Sequence, residues 1–151
     1  MDIFVFSSET LTNIWAGIGA KMWAVSDTGN AMTFQGRHTK SKSMKIGSFG
    51  ILYCVETHGL TTPFIVYSAA DPSVAIENVW KGKWVLPFKI LPLGTPDRQL
   101  ISHDAVALLP IFEKQQTKDF SKVFHIQAIT AFSPSEISSG DWEILLSRLA
   151  V

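Results

Sequence analysis

The stretch Val79-Trp80-Lys81-Gly82-Lys83-Trp84-Val85-Leu86-Pro87-Phe88-Lys89-Ile90 decides how the rest of the chain is read. From Trp84 to Leu93 the residues are mostly apolar and β-forming, which predicts a long strand. Pro87 has no N–H to give to a ladder, so the strand is expected at a sheet edge or with a bulge. Ahead of it, Trp80 follows no helical stripe and is surrounded by a glycine and two lysines. A tryptophan at a strand end beside Lys and Gly has the chemistry of a base-binding pocket next to a phosphate contact. The competing reading, a core tryptophan, fits the same residues.

Working outward toward the N-terminus, Asp71 to Val79 is a connection with room for a helical turn. Pro63 to Ala69 and Phe49 to Glu56 read as paired strands across a turn containing His58-Gly59. Arg37 to Lys45 is polar, basic and aperiodic, which predicts an exposed loop and the one concentrated patch of positive charge. Met22 to Val25 is a short strand ending in the turn residues Ser26 to Asn30. Before it, Leu11, Ile14, Trp15 and Ile18 mark the buried face of a helix capped by Thr10 and weakened by Gly17 and Gly19. Asp2 to Phe6 opens the chain as a strand. In the other direction, Asp104 to Phe112 is either helix or strand, Gln115 to Ser121 is a polar loop, and Lys122 to Ile129 reads as a strand. Ser139 caps a last helix with Trp142, Leu145, Leu146 and Leu149 on one stripe. Strands joined mostly by non-helical connections, with a helix near each end, predict a single α+β domain over residues 1–151: a curved sheet or small β-barrel flanked by helices.

The 151 residues are 46% hydrophobic, enough to bury a core, and 13 Lys+Arg balance 13 Asp+Glu. That balance excludes a binder that coats nucleic acid with a uniformly basic surface. One cysteine, Cys54, cannot form an internal disulfide, no Cys/His group has metal-ligand spacing, and neither a metal nor a cofactor is expected. No apolar run approaches the ~20 residues that cross a bilayer, and a cytoplasmic location is expected. Catalytic candidates are thin. His103 and Asp104 are half of an acid/base pair, but neighbours on a strand face opposite ways. His58 falls in a turn, His125 and Cys54 on strands, and there is no Gly-x-Ser-x-Gly elbow or Gly-x-Gly-x-x-Gly loop. What remains is aromatic: Trp15 and Trp142 lie in helical stripes and are assigned to the core, which leaves Trp23 and Trp80.

Two segments resemble the YTH domain, a PUA-like family that reads N6-methyladenine. The first is Phe4 to Val25: a strand, Ser7-Ser8, a helix, then Met22-Trp23-Ala24. The second is Val79 to Ile90, continuing to Pro96-Asp97-Arg98-Gln99-Leu100. The resemblance implies a PUA-like fold in which Trp23 and Trp80 are walls of a methyl-adenine cage. It implies that Asn13 bonds the adenine ring, with Ser8, Glu9 and Ala24 along the base edge. No third aromatic stands between Asp71 and Val79, so Leu86 or Val74 is expected as an aliphatic floor. At Glu9 the family often has Asn or Tyr; a carboxylate there accepts from an amine or repels a phosphate. Arg37, Lys40, Lys42, Lys81 and Lys83 are the candidate phosphate contacts.

The function implied is non-enzymatic binding of methylated RNA or DNA, with the base unpaired or flipped. The C-terminal third is similar to the related EVE domains, which implies an alternative: a reader of modified cytosine in DNA, working with a nuclease or NTPase module outside this chain. A further alternative is an enzyme on the same scaffold using Glu9, or His103 with Asp104. The favoured reading requires the indoles of Trp23 and Trp80 to stand face to face around an opening for one flat heterocycle.

Overall fold

The computed structural model describes all 151 residues. In chain order the elements are β1 (Asp2–Ser8), α1 (Leu11–Ala20), β2 (Met22–Ser26), α2 (Ala31–Ser41), β3 (Phe49–Cys54), β4 (Gly59–Val66), β5 (Ala75–Ile76), β6 (Trp84–Pro92), β7 (Gln99–Ile101), α3 (Ser102–Leu108), α4 (Pro110–Lys114), α5 (Phe120–Val123), β8 (Ser135–Glu136) and α6 (Ser139–Leu149). The main sheet runs β2-β6-β4-β3-β1-β8, with β5 on β6 and β7 on β4. Its terminal strands β2 and β8 do not pair, so the sheet is open and not a barrel. β1 and β3 are parallel, from Ile3 opposite Phe49 to Ser8 opposite Cys54, and the other pairings are antiparallel.

Both faces of the sheet are covered at β1 and β3, while the outer face of β6 is exposed at Lys89 and Leu91. Alternate residues of β1 and β3 point opposite ways, so Phe4, Phe6, Leu52 and Cys54 enter one core with Ile14, Trp23, Trp80 and Phe88. Ile3, Val5, Ile51 and Tyr53 enter a second core with residues from α3 to α6, including Phe112, Phe120, Trp142 and Leu145.

Several expectations are corrected. Arg37 to Lys45 is largely helix: α2 is capped by Asn30, whose side chain accepts from the N–H groups of Met32 and Thr33. Lys122 to Ile129 is not a strand. Asp119 caps the single turn α5, and a 3₁₀ turn follows at Ala128–Thr130. Asp71 to Val79 carries β5 and no helix. Asp104 to Phe112 resolves as α3 and α4, and the cap of α6 is Ser138. Pro87 sits inside the sheet at a bulge: Trp23 and Val25 face Phe88 and Val85, two steps on β2 against three on β6. Trp142 is buried, but Trp15 is 48% exposed, at the rim of the α1 stripe.

Candidate base-binding site

Three tryptophans meet where β2, the loop after β5 and the start of β6 converge on α1. Trp23 points from β2 into the first core and is 1% exposed. The reason lies in α1: a Cβ on Gly17 would stand 2.6 Å from the Trp23 ring, so glycine lets the ring lie against the helix. Trp80 is 4% exposed, and its Nε1 donates to the Asn13 carbonyl at 2.9 Å, tying the loop to α1. Trp84 opens β6 opposite Ser26, and its Nε1 donates to the Lys81 carbonyl at 3.1 Å.

Ring centroids of Trp23 and Trp80 are 5.3 Å apart at 70°, an edge-to-face contact. Trp80 and Trp84 are 4.8 Å apart and tilted by 34°, while Trp23 and Trp84 are 6.5 Å apart at 76°. The expected pair of indoles is therefore brought together from distant segments, but in mutual contact and not face to face around an opening. Apolar faces left together cover one another. Trp84 is the member that sequence reasoning missed. Its signal was present in Trp80-Lys81-Gly82-Lys83-Trp84, where a turn at Gly82, φ +87°, folds the second tryptophan back beside the first.

The base-edge candidates divide. Asn13 is half-buried, its backbone N–H donating to Thr10 Oγ1 at 3.2 Å. Ser8 lies on the same β1 face as Phe4 and Phe6; its hydroxyl is buried and has no hydrogen-bond partner. Ala24 is buried beside Trp23. Glu9 is exposed; its carbonyl accepts from the Glu56 N–H at 3.1 Å, while the Glu56 carboxylate accepts from the Leu11 N–H at 3.1 Å. The Glu56 carboxylate thus sits at the start of α1. Leu86 is fully buried in the tryptophan core, held by the bulge at φ +54°. Val74 does not join it, lining a separate cleft with Phe34 and Lys83.

Among the cations, Lys40, Lys42, Lys81 and Lys83 are exposed, and Lys83 Nζ lies 3.7 Å from Asp27. Arg37 is different from expectation. It is 9% exposed, and its guanidinium donates to the Ser26 carbonyl at 3.0 Å and the Ala128 carbonyl at 3.3 Å. Burial holds it below the usual guanidinium range, with the Asp27 carboxylate partly opposing. The α2 geometry turns this side chain inward, where its bonds to main-chain carbonyls clamp residue 128 onto β2. Beside it, Trp23, Ala24, Trp84 and Gln127 line a cavity of about 70 Å³, roomy for water but not for a purine.

His103 and Asp104 are exposed on α3, whose Ala105 belongs to the second core, and they do not join the tryptophans. They are neighbours on a helix, not on a strand as expected. No group of His, Cys, Asp or Glu is arranged to hold a metal ion, and no helix is long and apolar enough to cross a membrane.

No protein-family model and no curated protein matches the sequence. Solved structures do match its fold. The Mmi1 YTH domain superposes with a TM-score of 0.60 at 14% identity, covering 97% of this chain and 95% of that one. The Pho92 YTH domain, solved in complex with m6A, gives 0.62 at 11% identity, with 97% and 81% covered. The Toxoplasma CPSF4 YTH domain, in apo form, gives 0.57 at 12% identity, with 99% and 88% covered. With its open sheet, its helices on both faces and its tryptophans gathered at the α1–β2 end, this chain has the fold of a YTH domain.

Proposed function

We propose that this protein is a non-enzymatic reader of N6-methyladenine in RNA. The observation that carries the reading is the convergence of Asn13, Trp23 and Trp80 from three separate segments, with the Trp80 indole bonded to the Asn13 main chain. The fold shared with a YTH domain solved with m6A supports the choice of ligand.

Because the rings touch, a base enters only by displacing their contact. An edge-to-face aromatic contact contributes about 0.5–1.5 kcal/mol beyond its buried area. A base stacked on an aromatic side chain contributes about 1–3 kcal/mol. A base between Trp80 and Trp23 exchanges one ring–ring contact for two ring–base contacts. Opening the site requires the Trp80 loop to shift and its bond to the Asn13 carbonyl to give way, because Trp23 is held between Gly17 and the core. Methylation adds one carbon to bury, worth about 0.8 kcal/mol or roughly fourfold in affinity. The unpartnered Ser8 hydroxyl supplies a hydrogen-bonding group facing the tryptophan core. Leaving such a group unpaired costs about 1–3 kcal/mol, so a polar base edge that reaches it is rewarded.

Calorimetry with single-stranded RNA carrying N6-methyladenine or adenine at one position tests the reading. The methylated strand binds at least about fourfold tighter if it holds. Equal affinity overturns it, and tighter binding of DNA carrying 5-methylcytosine would install the modified-cytosine reading in its place.

A further inference from the structure

Net neutrality hides a local imbalance on the outer surface of β2, β6 and β4. Lys89 points away from the core on β6 while its neighbours Phe88 and Ile90 are buried. Its partner across β2 is Met22, and the Ile90 N–H donates to the Lys21 carbonyl at 3.0 Å. On its other side, the Tyr67 N–H donates to the Lys89 carbonyl at 2.8 Å. The Lys89 N–H donates to the Ser68 hydroxyl, also at 2.8 Å. Lys45 and Ile46 join from the segment before β3, where the Gly47 N–H donates to the Val66 carbonyl at 2.8 Å. Backbone hydrogen bonds thus bring together the segments that carry Lys21, Lys45, Lys89 and Tyr67, and all four residues are exposed, Tyr67 by 64%.

None of these lysines is ion-paired; the one salt bridge of the molecule is Lys83 with Asp27. No Asp or Glu occurs in residues 19–22, 42–48, 64–70 or 87–92. The nearest in sequence, Asp71, has its carboxylate turned onto the Ser73 N–H and hydroxyl. Ile46 and Leu91 are exposed in the same region, so apolar and basic groups interleave. An aromatic face among unpaired cations on fixed backbone is the pattern that binds single strands, stacking one base while lysines hold phosphates.

We infer that Tyr67 with Lys21, Lys45 and Lys89 forms a track for the single-stranded nucleic acid flanking the recognised base. This rests on the RNA-reading function proposed above and extends it. The track borders Met22, which is one residue from Trp23 on β2 and partly packed against the tryptophan core, while Lys89 points to the opposite face. A strand leaving the site therefore rounds the β2 edge to reach it. The candidate phosphate contacts read from the sequence, Lys40, Lys42, Lys81 and Lys83, are not among these lysines.

The test titrates fluorescent single-stranded RNA of about twenty nucleotides, methylated or unmethylated at its centre, against the full chain and its variants. The slope of log affinity against log salt falls by about 0.7 for each lysine neutralised in Lys45→Gln/Lys89→Gln. Tyr67→Ala weakens binding about fivefold or more. A methylated mononucleoside binds wild type and variants alike, and the ratio of methylated to unmethylated affinity is unchanged. Variants that leave long-RNA affinity and salt slope unmoved overturn the track. If methylated and unmethylated strands bind equally while the variants still lose affinity, the track stands and the methyl reading falls. Absence of any RNA binding overturns both. Retention on phosphatidylserine vesicles that the variants abolish, with RNA binding unaffected, assigns the surface to membranes and overturns the track.

Discussion

At the scale of single residues, the contact between Gly17 and Trp23 sets the site. Glycine in a helix interior costs about 1 kcal/mol against alanine, and here the same position admits an indole. Gly17→Ala therefore destabilises by about 1–3 kcal/mol through overpacking, despite better helix propensity, and shifts tryptophan fluorescence; urea denaturation measures the first. Trp23→Ala costs about 3–5 kcal/mol of stability, so loss of binding in that variant says little about a cage. Trp84→Ala is more informative, because the side chain is only half-buried, and it is expected to weaken binding of methylated RNA while the fold persists. Arg37 is legible in the sequence only as one charge in a basic run. Its burial follows from the carbonyls of Ser26 and Ala128, 11 and 91 residues away in sequence. Arg37→Met removes both bonds and costs about 1.5–3 kcal/mol, whereas the exposed Lys40→Gln stays within about 0.5 kcal/mol. Burial also pushes the Tyr53 phenol up, with a Ser102 hydrogen bond partly opposing. Its contribution is intact below the unfolded-state value of about 10 and is lost as pH rises through the folded value. Tyr53→Phe should flatten the alkaline loss of stability, read by melting between about pH 9 and 11.

At the scale of elements, the strands and helices with strong signals were readable, and the failures have physical causes. Pro87 announced a bulge because a missing N–H cannot be hidden in a ladder; that the bulge lies between two paired strands, not at an edge, depended on what β2 and β4 bring to β6. α2 was missed because Thr33, Gly36, Thr39 and Ser41 are poor helix formers. The helix is held by the Asn30 cap and the Arg37 bonds. The alternation from Lys122 to Ile129 imitated a strand. The Asp119 cap prevailed, since one turn lets Phe120 and Phe124 stack at 4.9 Å while Phe112 lies against both. α6 shows how a cap can serve two elements. The Asp141 carboxylate accepts from the Ser138 N–H and hydroxyl, and also from the Ile111 N–H of α4 at 3.0 Å. Asp141→Ala removes the capping box and leaves a buried N–H unpaired, for a combined loss of about 2–4 kcal/mol in chemical denaturation.

At the scale of the whole molecule, a sheet covered on both faces at β1 and β3 keeps the tryptophan site and the α3–α6 layer in separate cores. On the proposed reading, the site at one end of the first core takes only a base that is out of its stack. A hairpin with the methylated adenine paired should therefore bind more weakly than the same sequence single-stranded, by the few kcal/mol needed to extrude the base; competition titration checks it. The sequence by itself determined the α+β class, the opening strand and helix, the hairpin of β3 and β4, and the pairing of Trp23 with Trp80 as residues to be explained. Those features follow from periodicity, turn chemistry and the resemblance to YTH domains, all written locally. Only the tertiary structure decided that the indoles touch, that Trp84 completes the cluster, that Arg37 is a clamp, and that the segments carrying Lys21, Lys45, Tyr67 and Lys89 meet. Each of these depends on which distant segments the sheet order makes neighbours, and burial and hydrogen bonding between such segments leave no periodic trace along the chain.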